Sequence, residues 1–285
     1  MKISDILAQA RIQLEKSGVS SSKLDSLILL AHALSFSKEQ VIFNPDFNLD
    51  QNQQDKFFSL INRRTKREPV SQIIGKREFY GRDFLVTSRV LDPRPDSEIL
   101  IELVIKKLSP QIFSQINILE LGSGSGCLII TLLILYKKAQ AFAVDISSDA
   151  LEICKRNSAF HQVYERLQTI KSDLFAALDP DKKFDLIISN PPYIKSQDIL
   201  NLEDEVKKFE PHLALDGGAD GLDFYRRIAQ EAFSFLQANG YLIVEIGFDQ
   251  KEKVIKIFSD KKLTFIESKP DLSGIQRALC FQKIN

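Results

Sequence analysis

Residues 116–126 read INILELGSGSG, an apolar stretch that ends in three glycines separated by single serines. The apolar residues predict a buried β-strand, and the apolar run from Cys127 to Tyr136 that follows predicts a helix. Glycines allow a tight turn and a close approach of a ligand to the backbone, while the first N–H groups of the helix point at that ligand. The predicted ligand-binding loop consists of Gly122, Ser123, Gly124, Ser125 and Gly126.

An acidic residue follows at a distance that suits a nucleoside. Asp145 ends the next predicted strand, 19 residues after Gly126, where a carboxylate can accept hydrogen bonds from both ribose hydroxyls. The glycines are spaced Gly-x-Gly-x-Gly, whereas a dinucleotide fold places its third glycine one residue later. This spacing resembles the cofactor loop of class I S-adenosylmethionine methyltransferases. A glycine-rich turn beside a solvated aspartate is the structural alternative.

Short apolar runs alternate with helical segments from this stretch to the end of the chain. The candidate strands are residues 116–121, 141–145, 167–170, 184–189, 241–246, 263–268 and 278–282. Helices are predicted between most of them, including one over residues 224–237. This alternation predicts an α/β fold with a doubly wound, mostly parallel, seven-stranded sheet.

The chain before the sheet divides into two further segments. Residues 1–72 carry apolar residues at helical spacing and predict a small helical bundle. Residues 73–95 predict a β-hairpin and proline linker, in which apolar residues from Ile73 to Val86 form two strands around a tight turn at residues 81–83. Residues 96–285 are the predicted catalytic domain, which opens with a helix.

A second motif, ISNPPY, closes the fourth predicted strand. Asn190 lies at the carboxyl edge of the sheet, where open α/β folds bind ligands. Pro191 keeps Asn190 extended, and the two prolines present carbonyls without N–H groups of their own. The Asn190 side-chain oxygen and the Pro191 carbonyl are thus two rigid acceptors beside the ring of Tyr193.

Two such acceptors suit a planar –NH2 group. This amine is a poor nucleophile because resonance delocalises its lone pair. Hydrogen bonds accepted from both of its N–H groups raise the electron density on the nitrogen. They also orient the nitrogen lone pair towards a sulfonium methyl group. We therefore predict Asn190, Pro191 and Tyr193 as catalytic residues and Asn190, Pro191, Pro192 and Tyr193 as substrate-binding. A strand end without chemistry is the alternative.

Charge and composition restrict the classes of function. The 38 basic and 38 acidic residues cancel, which argues against extensive coating of nucleic acid. The apolar run 127–136 is too short to span a bilayer, and the N-terminus lacks a signal-peptide core, so we expect a cytoplasmic location. Basic residues cluster between Arg63 and Arg94, as a solvated connector or as a docking strip for an acidic partner. Histidines and cysteines lack metal-ligand spacing, and we expect no metal.

The order of the motifs resembles that of the protein release factor glutamine methyltransferases. The matching segments are residues 69–75, 79–81, 91–98, 120–126, 190–193 and 210–226. The glycine loop and Asn-Pro-Pro-Tyr occur in many methyltransferases, whereas residues 210–226 (EPHLALDGGADGLDFYR) are the most family-specific. Departures from the family are mild and fall at Gln72, Asp92 and Leu174.

The resemblance implies methylation of the side-chain amide of the glutamine in the Gly-Gly-Gln loop of peptide chain release factors, with S-adenosyl-L-methionine as donor. It implies that residues 122–126, Asp145, Asp173, Leu174 and Asn190 hold the cofactor, with Asp173 at the adenine amino group and Leu174 beside the ring. By its position alone, Asp173 could equally be a helix N-cap. The resemblance also implies that the N-terminal domain and the basic residues between Arg63 and Arg94 dock the release factor. We expect a monomer with no membrane partner and no direct nucleic-acid substrate.

Other functions stay open at this point. The main alternative is a nucleobase methyltransferase of the adenine-N6 type acting on DNA or RNA, because an exocyclic base amine has the same geometry. The glycine spacing disfavours a nicotinamide-dependent reductase. The intact Asn-Pro-Pro-Tyr motif disfavours a catalytically inactive adaptor protein that binds a translation factor. Arg94 could reach the cofactor, the substrate or a surface acid, and Glu120 the loop or the cofactor.

Overall fold

The computed structural model describes residues 1–109 and 114–284, whose contacts divide into two units. The first unit contains Met1–Lys76 together with Glu203–Phe209, and the second contains the remainder of the described chain. The sequence analysis assigns residues 203–209 to the catalytic domain, whereas their contacts group them with the N-terminal helices. The boundaries at 72/73 and 95/96 stay a prediction for where independent domains begin and end.

The first unit is helical, as predicted. Its helices are α1 (Ile3–Lys16), α2 (Ser22–Leu34), α3 (Lys38–Phe43), α4 (Gln51–Arg64), α5 (Val70–Ile74) and α9 (Asp204–Phe209). The predicted apolar stripe of α1 is buried, and it packs in one cluster with Leu29, Phe57 and Ile61. Capping boxes begin α3 and α4, where Ser37 and Asp50 each accept a hydrogen bond from the backbone three residues later.

A two-stranded hairpin, β1 (Lys76–Phe79) and β2 (Arg82–Leu85), follows α5. The predicted first strand begins too early, at Ile73, and the predicted turn at residues 81–83 lies too late. Ile73 and Ile74 end helix α5, and Gly75 terminates it with φ of 79°. The turn residues are Tyr80 and Gly81, with φ of 52° and 70°. Two left-handed residues match the twist of a hairpin, so residues 82 and 83 belong to β2.

The second unit also contains a seven-stranded sheet flanked by helices, which confirms the predicted α/β fold. Its strands are β3 (Asn117–Leu121), β4 (Gln140–Asp145), β5 (Leu167–Lys171), β6 (Phe184–Ser189), β7 (Leu236–Glu245), β8 (Thr264–Pro270) and β9 (Gln276–Gln282). Its helices are α6 (Glu98–Leu108), α7 (Cys127–Leu135), α8 (Ser148–Phe160), α10 (Asp223–Phe235) and α11 (Lys251–Ser259). Short 3₁₀ turns cover Pro95–Ser97, Tyr164–Arg166, Ser196–Asn201 and His212–Ala214.

The strand order is β5-β4-β3-β6-β7-β9-β8, and β9 runs antiparallel to both of its neighbours. The chain builds outward from β3 through β4 to β5, and then returns to add β6 on the opposite side of β3. The order therefore reverses between β3 and β6. In open α/β sheets, ligands bind outside the carboxyl ends of the strands at such a reversal.

Apolar side chains on both faces of the sheet explain why its central strands are almost continuously apolar. In β6, Leu186 and Ile188 pack into one core cluster, while Phe184 and Ile187 pack into the other. The end of β6 is tied to β3 by Ser189, whose Oγ donates to the Leu121 carbonyl at 2.8 Å. These contacts hold Gly122 and Asn190, the next residues along each strand, at a rigid edge.

Candidate active site

A cavity of about 340 Å³ lies at the reversal point of the sheet. It is bordered by the residues that follow β3, β4, β5 and β6. The predicted site residues in its lining are Gly122, Gly124, Asp145, Asp173, Leu174, Asn190 and Pro192. Within the described part of the chain, the lining does not include Ser123, Ser125, Gly126, Pro191 or Tyr193. The structure thus brings most of the predicted residues together from four separate strands.

The three glycines of the loop have two different physical roles. All three have positive φ, between 52° and 78°. A Cβ at Gly122 or Gly124 would meet no atom within 4 Å, so these residues leave open space at the cavity wall. A Cβ at Gly126 would lie 2.6 Å from the Cys154 sulfur on α8. Gly126 therefore permits the close packing of α7 on α8, whereas the first two glycines face the cavity.

Asp145 organises the loop as well as bordering the cavity. Its Oδ2 accepts a hydrogen bond from the Gly124 backbone N–H at 2.9 Å, and its Oδ1 accepts from the Ser147 N–H at 2.8 Å. Burial raises the pKa of the Asp145 carboxyl, and these backbone donors oppose that rise. Each oxygen retains capacity to accept a further bond, so the carboxylate can still receive two hydroxyl donors.

Asp173 and Leu174 form the wall beyond β5. Asp173 is exposed, and its Oδ1 accepts a hydrogen bond from Arg227 of α10 at 2.6 Å. This ion pair, rather than a helix N-cap, is the contact that the Asp173 side chain makes. Leu174 is nearly buried and presents apolar surface to the cavity. A carboxylate beside an apolar wall is suited to a ring that carries an amino group.

Asn190 is held through its amide nitrogen. Its Nδ2 donates to the Ser97 Oγ at 3.0 Å, and the Ser97 hydroxyl donates to Oε2 of Glu245 at 2.5 Å. With Nδ2 engaged, Oδ1 is the atom of this amide that can accept from a ligand. Asn190 and Pro192 border the cavity, while Pro191 between them is buried.

Glu245 is the residue of this region that the sequence analysis missed. It ends β7, is 1% exposed, and lies beside the motif because β7 pairs with β6. Burial raises its pKa to about 7. An acid in the apolar stretch YLIVEIG was the available signal, because a buried carboxylate needs partners. For Ser97, the sequence indicates only that a helix begins at Asp96 or Ser97.

Among the described residues, Tyr193 packs against the core and does not belong to the cavity lining. Its ring packs against one core cluster, and its hydroxyl donates to Oε1 of Glu245 at 3.3 Å. Burial raises the pKa of that hydroxyl. Gln250 fixes the backbone by donating from Nε2 to the Tyr193 carbonyl at 2.9 Å and to the Gly221 carbonyl at 3.0 Å.

The family-specific segment 210–226 packs directly on the motif. A Cβ at Gly217 would lie 2.8 Å from the Pro192 carbonyl oxygen, and one at Gly221 would clash with the Tyr193 carbonyl. The Gly217 N–H donates to the Ile194 carbonyl at 2.8 Å. Gly217 and Gly221 are therefore required for close backbone packing around residues 192–194.

Arg94 and Glu120 have partners within the protein. Arg94 Nη2 donates to both carboxylate oxygens of Glu210, at 2.8 and 2.7 Å. Burial raises the pKa of Glu210 to about 7, against the opposing effect of Arg94. Glu120 is 2% exposed and accepts from the Ile129 N–H at 3.3 Å, so it supports the helix that follows the loop. Burial raises its pKa well above the usual value.

At least six of the nine basic residues between Arg63 and Arg94 pair with acids of the same chain. The pairs are Arg63–Glu68, Arg64–Asp25, Arg67–Glu205, Arg77–Asp92, Arg89–Asp149 and Arg94–Glu210. Most of the positive charge is thus neutralised internally, which favours a solvated connector over a docking strip.

Residues 1–109 and 114–284 contain no group of three or more histidines, cysteines and acids placed to hold a metal ion. No helix among them has the length and apolar character needed to cross a membrane.

Two family models match the chain over most of its length. Residues 5–75 match the PrmC N-terminal domain, and residues 95–260 match the methyltransferase small domain. A bifunctional methyltransferase of Rickettsia felis is 38% identical over 99% of this chain and 58% of its own length. The chain therefore spans little more than half of that relative.

A relative of similar length is the release factor glutamine methyltransferase of Agrobacterium fabrum, which is 37% identical over 99% of this chain and 97% of its own. Among solved structures, a methyltransferase of Pyrococcus furiosus has a similar fold, with a TM-score of 0.53 and 17% identity over 79% of this chain and 99% of that one. The chain belongs to the family of release factor glutamine methyltransferases.

Proposed function

We propose that this chain methylates the side-chain amide nitrogen of the glutamine in the Gly-Gly-Gln loop of peptide chain release factors, with S-adenosylmethionine as methyl donor. The observation that carries the proposal is the position of Asn190. Its amide nitrogen is bound by Ser97 while the residue borders the cavity, so its oxygen is available to a substrate amide. A cytoplasmic location and a monomeric enzyme belong to the same proposal.

The cavity residues fit the proposed cofactor. Gly122 and Gly124 leave open space that a ligand can fill, and Asp145 retains acceptor capacity for two ribose hydroxyls. Asp173 and Leu174 would hold the adenine, and Asn190 would border the methyl donor. Ser123, Ser125 and Gly126 would support the loop from behind its cavity face. S-adenosylmethionine supplies an electrophilic methyl group.

The chain's own part in catalysis is to orient the glutamine amide. Oδ1 of Asn190 and the carbonyl of Pro191 would accept its two N–H bonds, with the Pro192 backbone and the Tyr193 side chain fixing that geometry. Both acceptors are fixed in position, because Asn190 is hydrogen-bonded to Ser97 and Pro191 is buried. Orientation and electrostatic preorganisation then replace a strong base, and the surplus proton leaves to water.

The nucleobase alternative is less well supported. Gripping a nucleic-acid backbone requires free positive charge, whereas the basic residues between Arg63 and Arg94 are mostly paired with acids. A relative that matches the chain over nearly its full length is named release factor glutamine methyltransferase. We therefore propose a protein substrate and no direct nucleic-acid substrate.

Mass spectrometry of a release factor incubated with the enzyme and S-adenosylmethionine tests the proposal. We expect the peptide that contains Gly-Gly-Gln to gain the mass of one methylene group on its glutamine. A release factor with that glutamine replaced by glutamate should gain none. Methylation of RNA or DNA, but not of the release factor, would contradict the proposal.

Asn190→Ala is the matched enzyme variant. Loss of one preorganised group at a developing charge costs about 10²–10³ in kcat, so we expect transfer to fall at least that far. S-adenosylmethionine binding should be largely retained, because the glycine loop and Asp145 remain. Calorimetry of cofactor binding beside the methylation assay separates the two effects, and unchanged turnover would contradict the acceptor role.

A further inference from the structure

Two buried polar groups, Glu245 and Ser97, form a chain of hydrogen bonds with Asn190 of the Asn-Pro-Pro-Tyr motif. Glu245 is 1% exposed and Ser97 is 3% exposed. The Ser97 Oγ lies 2.5 Å from Oε2 of Glu245 and 3.0 Å from Nδ2 of Asn190. The three groups come from the end of β7, the turn before α6 and the end of β6, so the fold brings them together.

The direction of these hydrogen bonds follows from the chemistry of the carboxylate. An ionised carboxylate only accepts, and a serine hydroxyl has one proton to donate. When the Ser97 hydroxyl donates its hydrogen bond to Glu245, its oxygen can only accept from Asn190. Asn190 must then present its –NH2 group to Ser97. The other side of the amide, Oδ1, is left for the cavity.

We propose that Glu245 and Ser97 are positioning residues that fix the direction of the Asn190 amide and so keep its oxygen turned to the substrate amide. The inference rests on the proposed function, because an oxygen there is useful only to an N–H donor. If the directions of these hydrogen bonds were reversed, Ser97 would donate to Oδ1 of Asn190. The Asn190 –NH2 would then face the substrate –NH2, and two donors cannot bind each other.

The surroundings of Glu245 determine when it can play this role. The Tyr193 hydroxyl donates to its Oε1 at 3.3 Å, and the Tyr225 hydroxyl of α10 donates to its backbone carbonyl at 2.8 Å. Arg277 on β9 favours the carboxylate, and Asp96 disfavours it. Burial is the largest influence and raises its pKa to about 7. Protonation near neutral pH would release the constraint on Asn190.

Methylation kinetics on a release factor test the inference, with Ser97→Ala, Ser97→Thr and Glu245→Gln compared with wild type. Misplacement of a reacting group costs about 10²-fold, so we expect Ser97→Ala to lower kcat by about tenfold to a hundredfold. Ser97→Thr keeps the hydroxyl and should recover most of that loss. Cofactor affinity, measured by calorimetry, should change little in all three.

The matched control is Ser158→Ala. Ser158 is a buried serine on α8 whose hydroxyl donates to the Lys155 carbonyl. It should retain wild-type kcat, and thermal unfolding of each variant shows whether the fold is intact. Equal kcat in wild type and Ser97→Ala, with transfer to the glutamine intact, would overturn this inference alone. Absence of transfer by wild type would overturn the proposed function and this inference with it.

The pH profile supplies a readout that a structural role would not move. Wild-type kcat should fall on the acidic side of about pH 7, where Glu245 becomes protonated. Glu245→Gln cannot titrate, so the ratio of wild-type to variant kcat should rise with pH through that range. A ratio that stays constant across the range would overturn the role of Glu245.

Discussion

Asp145 has two tasks, because the same carboxylate that borders the cavity also holds the Gly124 and Ser147 backbone N–H groups. We therefore predict that Asp145→Ala weakens S-adenosylmethionine binding by about 1.5–3 kcal/mol, the contribution of a hydrogen bond to a charged group. Asp145→Asn retains one acceptor oxygen and should lose less. Isothermal titration calorimetry of the purified variants measures both values.

Asp181→Ala is the control for that measurement. Asp181 is exposed in the turn before β6 and does not belong to the cavity lining described for residues 1–109 and 114–284, so its removal should leave cofactor affinity unchanged. An Asp145→Ala protein that binds as tightly as wild type would show that ribose recognition does not depend on this carboxylate.

Residues adjacent to a motif could be predicted from the sequence, and residues brought in by the fold could not. Gly122, Asp145 and Asn190 follow predicted strands, so their meeting at one sheet edge follows from parallel pairing. Ser97 and Glu245 are 148 positions apart. Their contact depends on the packing of the start of α6 against the end of β7, which no local pattern in the sequence encodes.

The same limit holds for secondary-structure elements. The central strands could be predicted because buried parallel strands are continuously apolar. The hairpin turn was misplaced because Tyr80 adopts a left-handed φ of 52°, a conformation that sequence rules associate with glycine or asparagine. Strand β7 begins at Leu236 rather than at Tyr241, because Leu236 pairs with Phe184 of β6 ahead of an irregularity.

The strand–loop–helix element gives a test of the two glycine roles. Gly126→Ala forces a methyl group against Cys154 in addition to the left-handed backbone. We predict that it lowers the free energy of unfolding by about 2–4 kcal/mol, from overpacking and backbone strain together. Gly122→Ala adds a methyl group to open space and should cost about 1–2 kcal/mol from the backbone alone.

Denaturant unfolding of the two variants measures that difference, and cofactor affinity should show the opposite order. Gly122 borders the cavity, so its methyl group should interfere with binding more than the methyl group at Gly126. Adding Cys154→Ala to Gly126→Ala should restore part of the lost stability. Equal losses at both positions, with no effect of the Cys154 change, would show that contact with α8 is irrelevant.

At the scale of the whole molecule, an ion-pair cluster binds residues 203–209 into the N-terminal unit. The Arg64 side chain is 3% exposed and pairs with Asp25 at 2.7 Å and with Glu205 at 2.8 Å. Gln72 also donates to the Phe209 carbonyl at 2.9 Å. Removing one partner of a buried pair costs about 3–5 kcal/mol, so Arg64→Met should destabilise this unit by about that amount.

Hydrogen exchange followed by mass spectrometry should show faster exchange in helices α1–α5 and in residues 203–209 of the Arg64→Met protein. Peptides from the sheet should exchange at wild-type rates. Arg63→Met is the matched control, because Arg63 is 42% exposed in its pair with Glu68 and such pairs contribute about 1 kcal/mol or less. If residues 203–209 exchange at the same rate in wild type and in Arg64→Met, the ion pairs of Arg64 do not hold this segment in the N-terminal unit.

Because the polypeptide enters the N-terminal unit a second time at residues 203–209, a single splice point cannot exchange that unit between relatives. A chimera that takes residues 1–76 from another family member would contain that relative's residues around position 64. It would keep Glu205 of the present chain. Matched chimeras need a second transplant, of a short segment cut from the middle of the catalytic half. Changes at Asp25, Arg64 and Glu205 should consequently be inherited as a set.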